Sequence, residues 1–533
     1  MMEMSSQFEF PIIKNEPVVN VCLFKKMENI DICFNAKNYT IQDNQGRILN
    51  RKISGTPTWR LKIKKGEAAI YSYYLIIYES ENLECVQSEV EKLNKLCDQL
   101  IIREAGGDVS YAGITITNNH KYILMAGPFG SEKEARYYCK NLDQLNHCNI
   151  HRKLEKSGSG IIEIFDLDND YYAEVRDGLK FIPDNFNEYF ELKHFELPLC
   201  GEIDKVVRED LFYQGSLQIK IDENRALAGV NQIPLELYLK GVIVSEIGEH
   251  HSGEFIKSMA VVARSQVFAN YGQKHFDEPY DFCSSGHCLR YYGIKSESSA
   301  IAEIISQTSG LLLQNDNKVN LALFSYSCGG HTDSYDINNM SLNGQNTMVK
   351  FDCCEPNKFN LNLQNEEDVE TWIIQQPDVY CREVTKATII DPKLANNSFR
   401  WEIFYTRIEL EKILKEKTGE DPGIIYEIIP LSRGVSGRCK EIEILGSLKN
   451  VRISGERNIR SAFSDSLLQS SCFIVKPELG EDGMPLSFKF IGAGNGHGIG
   501  LCKVGAAKMA SENYSMESIL AHYFQESQIQ KRY

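Results

Sequence analysis

No stretch of this sequence reaches the roughly 18 consecutive apolar residues that a membrane-crossing helix requires, so no transmembrane segment is expected. The first residues, MMEMSSQFEFPIIKNEP, lack a basic start followed by an apolar run, so no signal peptide is read there. Positive charge is also short. Lys and Arg number 58 against 73 Asp and Glu, and the formal net charge of −15 has the wrong sign for a general nucleic-acid binder. Proline is sparse, 15 of 533 residues, and glycine, at 38, is no more than ordinary, which excludes fibrous and low-complexity classes.

What is present is ordinary globular composition, 42% hydrophobic and 25% charged. At ~100–200 residues per domain, a chain this long divides into two to four units. Cysteine is plentiful, at 16 residues. A chain able to build real cores needs no disulfide framework, and Cys85, Cys97, Cys139 and Cys472 sit in apolar patterns that read as buried thiols. The adjacent pair Cys353-Cys354 reads as structural.

Residues 1–60 read as a β-rich segment of short strands, with a polar turn at Asp43-Asn44-Gln45-Gly46. Residues 61–156 change character. IYSYYLIIYES is a strand, and Val86, Val90, Leu93, Cys97 and Leu100 fall at the spacing of an amphipathic helix. GITITNN and NHKYILMAGPF suggest a hairpin-like pair, and SEKEARYYCKNLDQL a second helix capped by Ser131. That order predicts a small α+β module. Residues 157–194 connect it, through the loop-like DLDNDYY and IPDNFNEYF, to a region from 195 to 533 of even composition. The expected fold class is therefore α+β and multidomain.

In IPLELYLKGVIVSEIGEHHSGEFIKSMAVVARSQVFANY, Pro234 suits the first turn of a helix. Leu235, Leu239, Val242 and Ile243 give that helix an apolar face, and Glu246 falls near its C-terminal end. A carboxylate there faces the negative end of the helix dipole, and partial burial would raise its pKa further, as a general acid requires. A solvated surface glutamate is the plainer alternative. A second helix, about Gly253 to Tyr271, carries Lys257 and Arg264 two turns apart, which alone is an ordinary basic stripe.

HFDEPYDFCSSGHCLRYYG places His275, Cys283, His287 and Cys288 close together. Thiolates with imidazoles are a zinc donor set, and a Cys283–Cys288 disulfide is the competing reading. FSYSCGGHTDSYD sets Gly329 and Gly330 beside His331, allowing close backbone approach to a ligand. In FIGAGNGHGIGLCKVGAAKMA, glycines alternate from Gly492 to Gly500 around His497, including Gly496 and Gly498. A dinucleotide-binding glycine loop should open a βαβ unit, and no room is left for one here.

These four blocks, in this order, resemble the SpoIID/LytB (stage II sporulation protein D) family of glycan-strand lytic transglycosylases. IPLELYLKGVIVSEI and KSMAVVARSQVF look like that family's signature, which puts Glu246 on its catalytic glutamate and Lys257 and Arg264 on its basic positions. The Cys-His segment is similar to its Cys-Asp-x-x-His-Cys-Gln block, at which some members bind zinc. The resemblance implies a structural Zn²⁺ held by His275, Cys283, His287 and Cys288. It also implies a cleft contacted by Lys257, Arg264, Gly329, Gly330, His331, Gly496, His497 and Gly498. The sequence departs from the family at Met259, Ser284, Leu289 and Asp333, and at Cys502-Lys503-Val504, where Ser-Gln-Trp is usual. KYILMAGPFGSEKEARYYCKNL, within 61–156, resembles the peptidoglycan-binding SPOR repeat.

For function, the resemblance implies a peptidoglycan substrate. Hydrolytic glycosidases usually need two carboxylates, and only Glu246 stands out. A lytic transglycosylase works with one. Its acid protonates the oxygen between N-acetylmuramic acid and N-acetylglucosamine, and the substrate's own C6 hydroxyl closes a 1,6-anhydro ring. The resemblance implies strands denuded of stem peptides, a cell-envelope or periplasmic location, and a cell-wall amidase acting beforehand. The alternative is a glycan-binding enhancer of that amidase. Geometry separates the two: an acid must be reachable, and a Glu246 sealed in an ion pair favours the binder.

Overall fold

In the computed structural model, the described residues are 7–53, 56–94, 97, 99–140, 149–167, 172–198, 206–294, 299–334, 349–383, 385, 388–390 and 398–533. The join read at DLDNDYY lies largely outside them, at 168–171.

Two large sheets form the first half of the fold. One runs, in spatial order, through strands at Ile12–Ile13, Glu16–Met27, Leu227–Pro234, Ser216–Ile221, Leu179–Pro183, Tyr39–Asp43 and Ile48–Ile53. The other runs through Tyr172–Arg176, Ser159–Asp166, Thr58–Glu67, Asn29–Phe34, Tyr189–Pro198 and Val206–Gln214. Alternation drives them. In TWRLKIKKGE, Trp59 and Leu61 turn inward while Arg60 and Lys62 turn out. The inward faces share one core containing Val21, Ile32, Trp59, Ile162, Phe181, Phe190, Leu211 and Ile219. Both sheets run across the divisions read at residues 60 and 194, since Glu16–Met27 pairs with Leu227–Pro234 and Asn29–Phe34 with Tyr189–Pro198. Pairing across separations of about 160 and about 200 residues leaves no local mark in a sequence.

The 61–156 stretch forms a four-stranded antiparallel sheet in the order Asn149–Lys156, Ile70–Ser80, Lys121–Phe129, Leu100–Ala105. Helices α1 (Leu83–Leu93) and α2 (Glu132–Lys140) pack on it, the split βαβ arrangement. Ser131 Oγ accepts from Glu134 N at 3.2 Å, the cap read from the sequence. The hairpin expectation fails: Ile114–Asn118 pairs with Asp108–Tyr111 in a separate sheet and leaves Lys121–Phe129 between two other strands. Two thiol expectations also change, because Cys85 is exposed and Cys139 is disulfide-bonded.

The C-terminal half adds α3 (Leu235–Ile247), α4 (Gly253–Asn270), α5 (Ser299–Ser306), α6 (Glu366–Gln375), α7 (Arg407–Thr418), α8 (Glu456–Ala462), α9 (Lys503–Ser511) and α10 (Met516–Tyr523). α4 is the central one, touching α3, α5, α9 and α10. Fifteen of its 18 residues are buried, as are nine of the 13 in α3. Helices covered on all sides are core helices rather than amphipathic surface ones. That burial decides the fate of Glu246 and Arg264. The class is α+β, with several cores. Among the described residues, no helix is long and apolar enough to cross a membrane.

Candidate functional site

Glu246 lies in the last turn of α3, 7% exposed. Lys503, the first residue of α9, reaches it from the far end of the chain. Its Nζ donates to Glu246 Oε2 at 2.9 Å and to the Glu246 carbonyl oxygen at 3.0 Å, so it also satisfies an orphan carbonyl of the α3 terminus. The backbone N–H of Arg290 donates to Oε1 at 3.0 Å. Burial pushes this carboxyl up, but the Lys503 ammonium and Arg290 outweigh it, and the net pKa is lowered. The raised pKa expected of a general acid is therefore corrected. The helix dipole and burial do oppose ionisation, but a buried cation 2.9 Å away is the stronger field.

The two glycine blocks pack directly against each other. Ser327 and Asn495 exchange backbone hydrogen bonds at 3.0 and 2.8 Å, and Asp333 N donates to Gly498 O at 2.9 Å. Gly329 has φ +77°, and a Cβ there would lie 2.7 Å from Gly494 N, so the approach of the two loops requires glycine. Strand Phe324–Ser325 then pairs with Leu501–Cys502, which delivers Lys503 toward Glu246. Arg438, fully buried, is a residue that sequence reasoning missed. It donates to Cys328 O (3.1 Å), Gly496 O (3.3 Å) and Ser436 Oγ (2.9 Å), tying both loops together. No motif marks it, because its role is set by contacts more than 50 residues away.

The two histidines sit within this framework. Gly329, Gly330 and His331 are buried and are corrected from sugar contacts to packing between the loops, while His497 is half-buried. His331 is 7% exposed, with Nδ1 2.6 Å from Thr332 O and its ring edge-on to Phe351. His497 accepts from Ile499 N at 3.0 Å through Nδ1 and makes a backbone hydrogen bond with Phe324. Burial, with Arg438 nearby, depresses both: His331 to about 4 and His497 to about 3. Both are neutral at physiological pH. The unfolded rings bind protons at about 6.5 and the folded ones do not, so stability is lost as pH falls from about 6.5 toward 4. For His331 alone the loss is on the order of 3 kcal/mol. Urea denaturation of wild type and His331→Gln at pH 7 and pH 4.5 checks this; an equal acid loss in both would refute it.

Lys257 and Arg264 are not brought to Glu246 by any contact. Lys257 pairs with Glu254 at 2.8 Å, one turn back on α4. Arg264 has a side chain with no exposure and holds Glu236 bidentately, at 2.9 and 2.7 Å. A side chain with no exposed surface cannot touch a sugar, so Arg264 is corrected from a substrate contact to a core tie between α4 and α3. The sequence spacing was right, but the helix carrying it has no solvent face at that position.

His275, Cys283, His287 and Cys288 do converge, with donor atoms all within 4.8 Å of one another. Cys283 Sγ is 3.7 Å from Cys288 Sγ, and both cysteines are free, so the disulfide alternative is absent. Cys288 Sγ lies 3.5 Å from His275 Nε2 and 3.6 Å from His287 Nδ1. Glu278 holds the other nitrogen of His275 at 3.1 Å, the carboxylate–histidine support usual behind a metal ligand. Cys283 itself is anchored by pairing with Cys22 of strand Glu16–Met27. The donor set and its spacing fit a tetrahedral ion. Two residues beyond Cys288, Arg290 N meets Glu246, and Tyr292 N meets Ser245 Oγ at 2.9 Å. The Cys-His loop thus docks directly on the end of α3.

Residues 223–314 match the family model described as Stage II sporulation protein (SpoIID), the stretch holding Glu246 and the Cys-His loop. Residues 349–500 match a domain of unknown function, DUF8618, which holds Arg438 and His497. An uncharacterized protein of Brachyspira hyodysenteriae is 24% identical over 317 residues, covering 58% of this chain and 70% of its own length. Cys502 and Lys503 lie outside both matched models.

Proposed function

We propose that the region from 195 to 533 engages the glycan strands of bacterial peptidoglycan, chiefly those denuded of stem peptides, as a glycan-binding enhancer of a cell-wall amidase. The Stage II sporulation match supports the cell-wall setting. The observation favouring a binder over an enzyme is the buried ion pair. Glu246 is held as a carboxylate by Lys503, where this family usually has Gln, and a carboxylate with a lowered pKa is a poor proton donor. Of the paired glycine loops, 327–333 is buried, and the half-buried turn Asn495-Gly496-His497 is the surface proposed to meet sugar. The split βαβ module of 61–156 supports a second, SPOR-like contact with glycan, and the cell envelope is the matching location.

A second reading, the lytic transglycosylase, is favoured by the place of Glu246 at the catalytic position of the signature, within the matched stretch. It requires substrate to displace Lys503 from the carboxylate. Denuded peptidoglycan incubated with wild type and with Glu246→Gln separates the two by mass spectrometry and co-sedimentation. A binder sediments with the glycan in both forms and releases no 1,6-anhydro ends. Anhydro products from wild type that vanish in Glu246→Gln would overturn the proposal in favour of the enzyme.

The Cys-His loop is proposed to hold a structural zinc through His275, Cys283, His287 and Cys288. Zinc there would fix the 283–292 loop and with it the Arg290 N–H on Glu246. Cys283→Ala is expected to lose about one zinc per chain and lower the thermal midpoint by several degrees. Unchanged zinc content by elemental analysis would remove the assignment.

A further inference from the structure

Four buried side chains elsewhere form a second donor cluster. Cys328 follows the strand Phe324–Ser325, Asp352 and Cys381 lie on the segments flanking α6, and Cys502 caps the N-terminus of α9. Their exposures are 3%, 0%, 0% and 0%, and one donor atom from each lies within 4.8 Å of all the others. Cys328 Sγ is 3.1 Å from Asp352 Oδ2 and 3.7 Å from Cys381 Sγ. The cysteines are free, since a disulfide needs about 2.05 Å.

The surroundings are arranged for anionic donors. Cys328 N donates to Cys502 Sγ, Gly330 N to Cys328 Sγ and Gly505 N to Cys502 Sγ, at 3.3, 3.3 and 3.4 Å. The α9 N-terminus adds its positive dipole end to the Cys502 sulfur. Asp352 is oriented by its other oxygen, Oδ1, which takes Tyr523 OH at 2.9 Å and His522 Nε2 at 3.1 Å, leaving Oδ2 toward the sulfurs. Arg400 and Arg438 donate to the carbonyls of Gly329 and Cys328 beside the cluster.

We propose that Cys328, Cys381, Cys502 and Asp352 bind a second divalent ion of the zinc class, whether or not the 495–497 turn meets glycan. At a Zn–S distance of about 2.3 Å, tetrahedral sulfurs stand about 3.8 Å apart, close to the separation of Cys328 and Cys381. Three thiolates with one carboxylate suit a single borderline-soft ion. Each ligand comes from a different part of the chain. The ion would staple the Gly329-Gly330 loop to the 494–502 loop and set Lys503, adjacent to Cys502, against Glu246. Cys502, where the resembled family has Ser, becomes intelligible as a ligand rather than a lost substrate contact.

Elemental analysis of the full chain, purified without chelator, tests this. Wild type is expected to carry about two zinc per chain, Cys381→Ala and Cys283→Ala about one each, and Cys472→Ala, a buried thiol outside both clusters, about two. Zinc content in Cys381→Ala equal to wild type overturns the proposal, as does a Cys328–Cys381 disulfide in peptide maps. Should Cys381→Ala fail to fold, cobalt titration of metal-stripped wild type decides. Two saturating equivalents are expected, the three-thiolate site giving about 1.5-fold the charge-transfer absorbance of the two-thiolate site. Saturation at one equivalent overturns it.

Discussion

Replacing Lys503 by Met is expected to destabilise the protein by about 3–5 kcal/mol at pH 7, among the largest losses from any single side chain here. Lys503 and Glu246 are both buried, with side-chain exposures of 4% and 6%. Removing the ammonium leaves a carboxylate in the core, with the Arg290 N–H as the hydrogen bond that remains. It also frees the Glu246 carbonyl at the end of α3. The pH dependence separates this from simple lost packing. In wild type the Glu246 pKa is lowered, so its contribution is present above the unfolded value of 4.5 and lost as pH falls through the lower folded value. In Lys503→Met, burial is opposed by Arg290 without that ammonium, so the folded pKa moves upward, and the penalty is largest at neutral pH and shrinks on acidification. Denaturant midpoints at pH 7 and pH 4.5 read this directly. A variant within about 1 kcal/mol of wild type at pH 7 would show that the pair carries little.

The companion substitution, Lys503→Gln, restores the residue usual in the resembled family and keeps a donor within reach of Glu246. If Lys503 is what holds Glu246 as a carboxylate, 1,6-anhydro release should rise in this variant relative to wild type. Release absent from this variant as from wild type would show that Lys503 is not what withholds the reaction, the result a binder gives.

Much of the site is legible in the sequence, and the reasons differ by block. The ligand loop reads almost whole, because His275, Cys283, His287 and Cys288 lie within 14 residues and local chain geometry brings them together. The glycines at 329–330 and 494–500 can be read as a demand for close backbone approach, but to a ligand; that the two loops approach each other instead is set by the fold. The second cluster cannot be read. Cys328, Asp352, Cys381 and Cys502 span 174 residues, and each in isolation is an ordinary core thiol or a capping acid. Lys503 is visible as a departure from the family pattern, but nothing local says that an α9 lysine meets the end of α3. In the fold, alternation identifies strands such as Thr58–Glu67, while the partners of those strands are set by burial across the whole chain.

Arg264→Met is expected to cost about 3–5 kcal/mol in unfolding free energy while leaving glycan affinity per folded molecule unchanged. Arg264 spans the junction of four segments. Its guanidinium holds both oxygens of Glu236 at the start of α3, the Leu311 carbonyl at 3.2 Å and Thr308 Oγ1 at 3.4 Å. Glu236 in turn accepts from the Tyr533 hydroxyl at 2.7 Å. Burial works against the guanidinium's charge, but Glu236 more than offsets it and the pKa is raised, so no accessible pH discharges it. The variant therefore leaves Glu236, partly buried, without its cation, and the double variant Glu236→Gln/Arg264→Met should recover part of the loss by removing that stranded charge. A substrate-contacting arginine would behave in the opposite way, with near-normal stability, weakened sedimentation with glycan and no rescue from Glu236→Gln. Denaturation and co-sedimentation of the two variants therefore assign Arg264 either to the core or to the sugar, and its lack of any exposed surface favours the core.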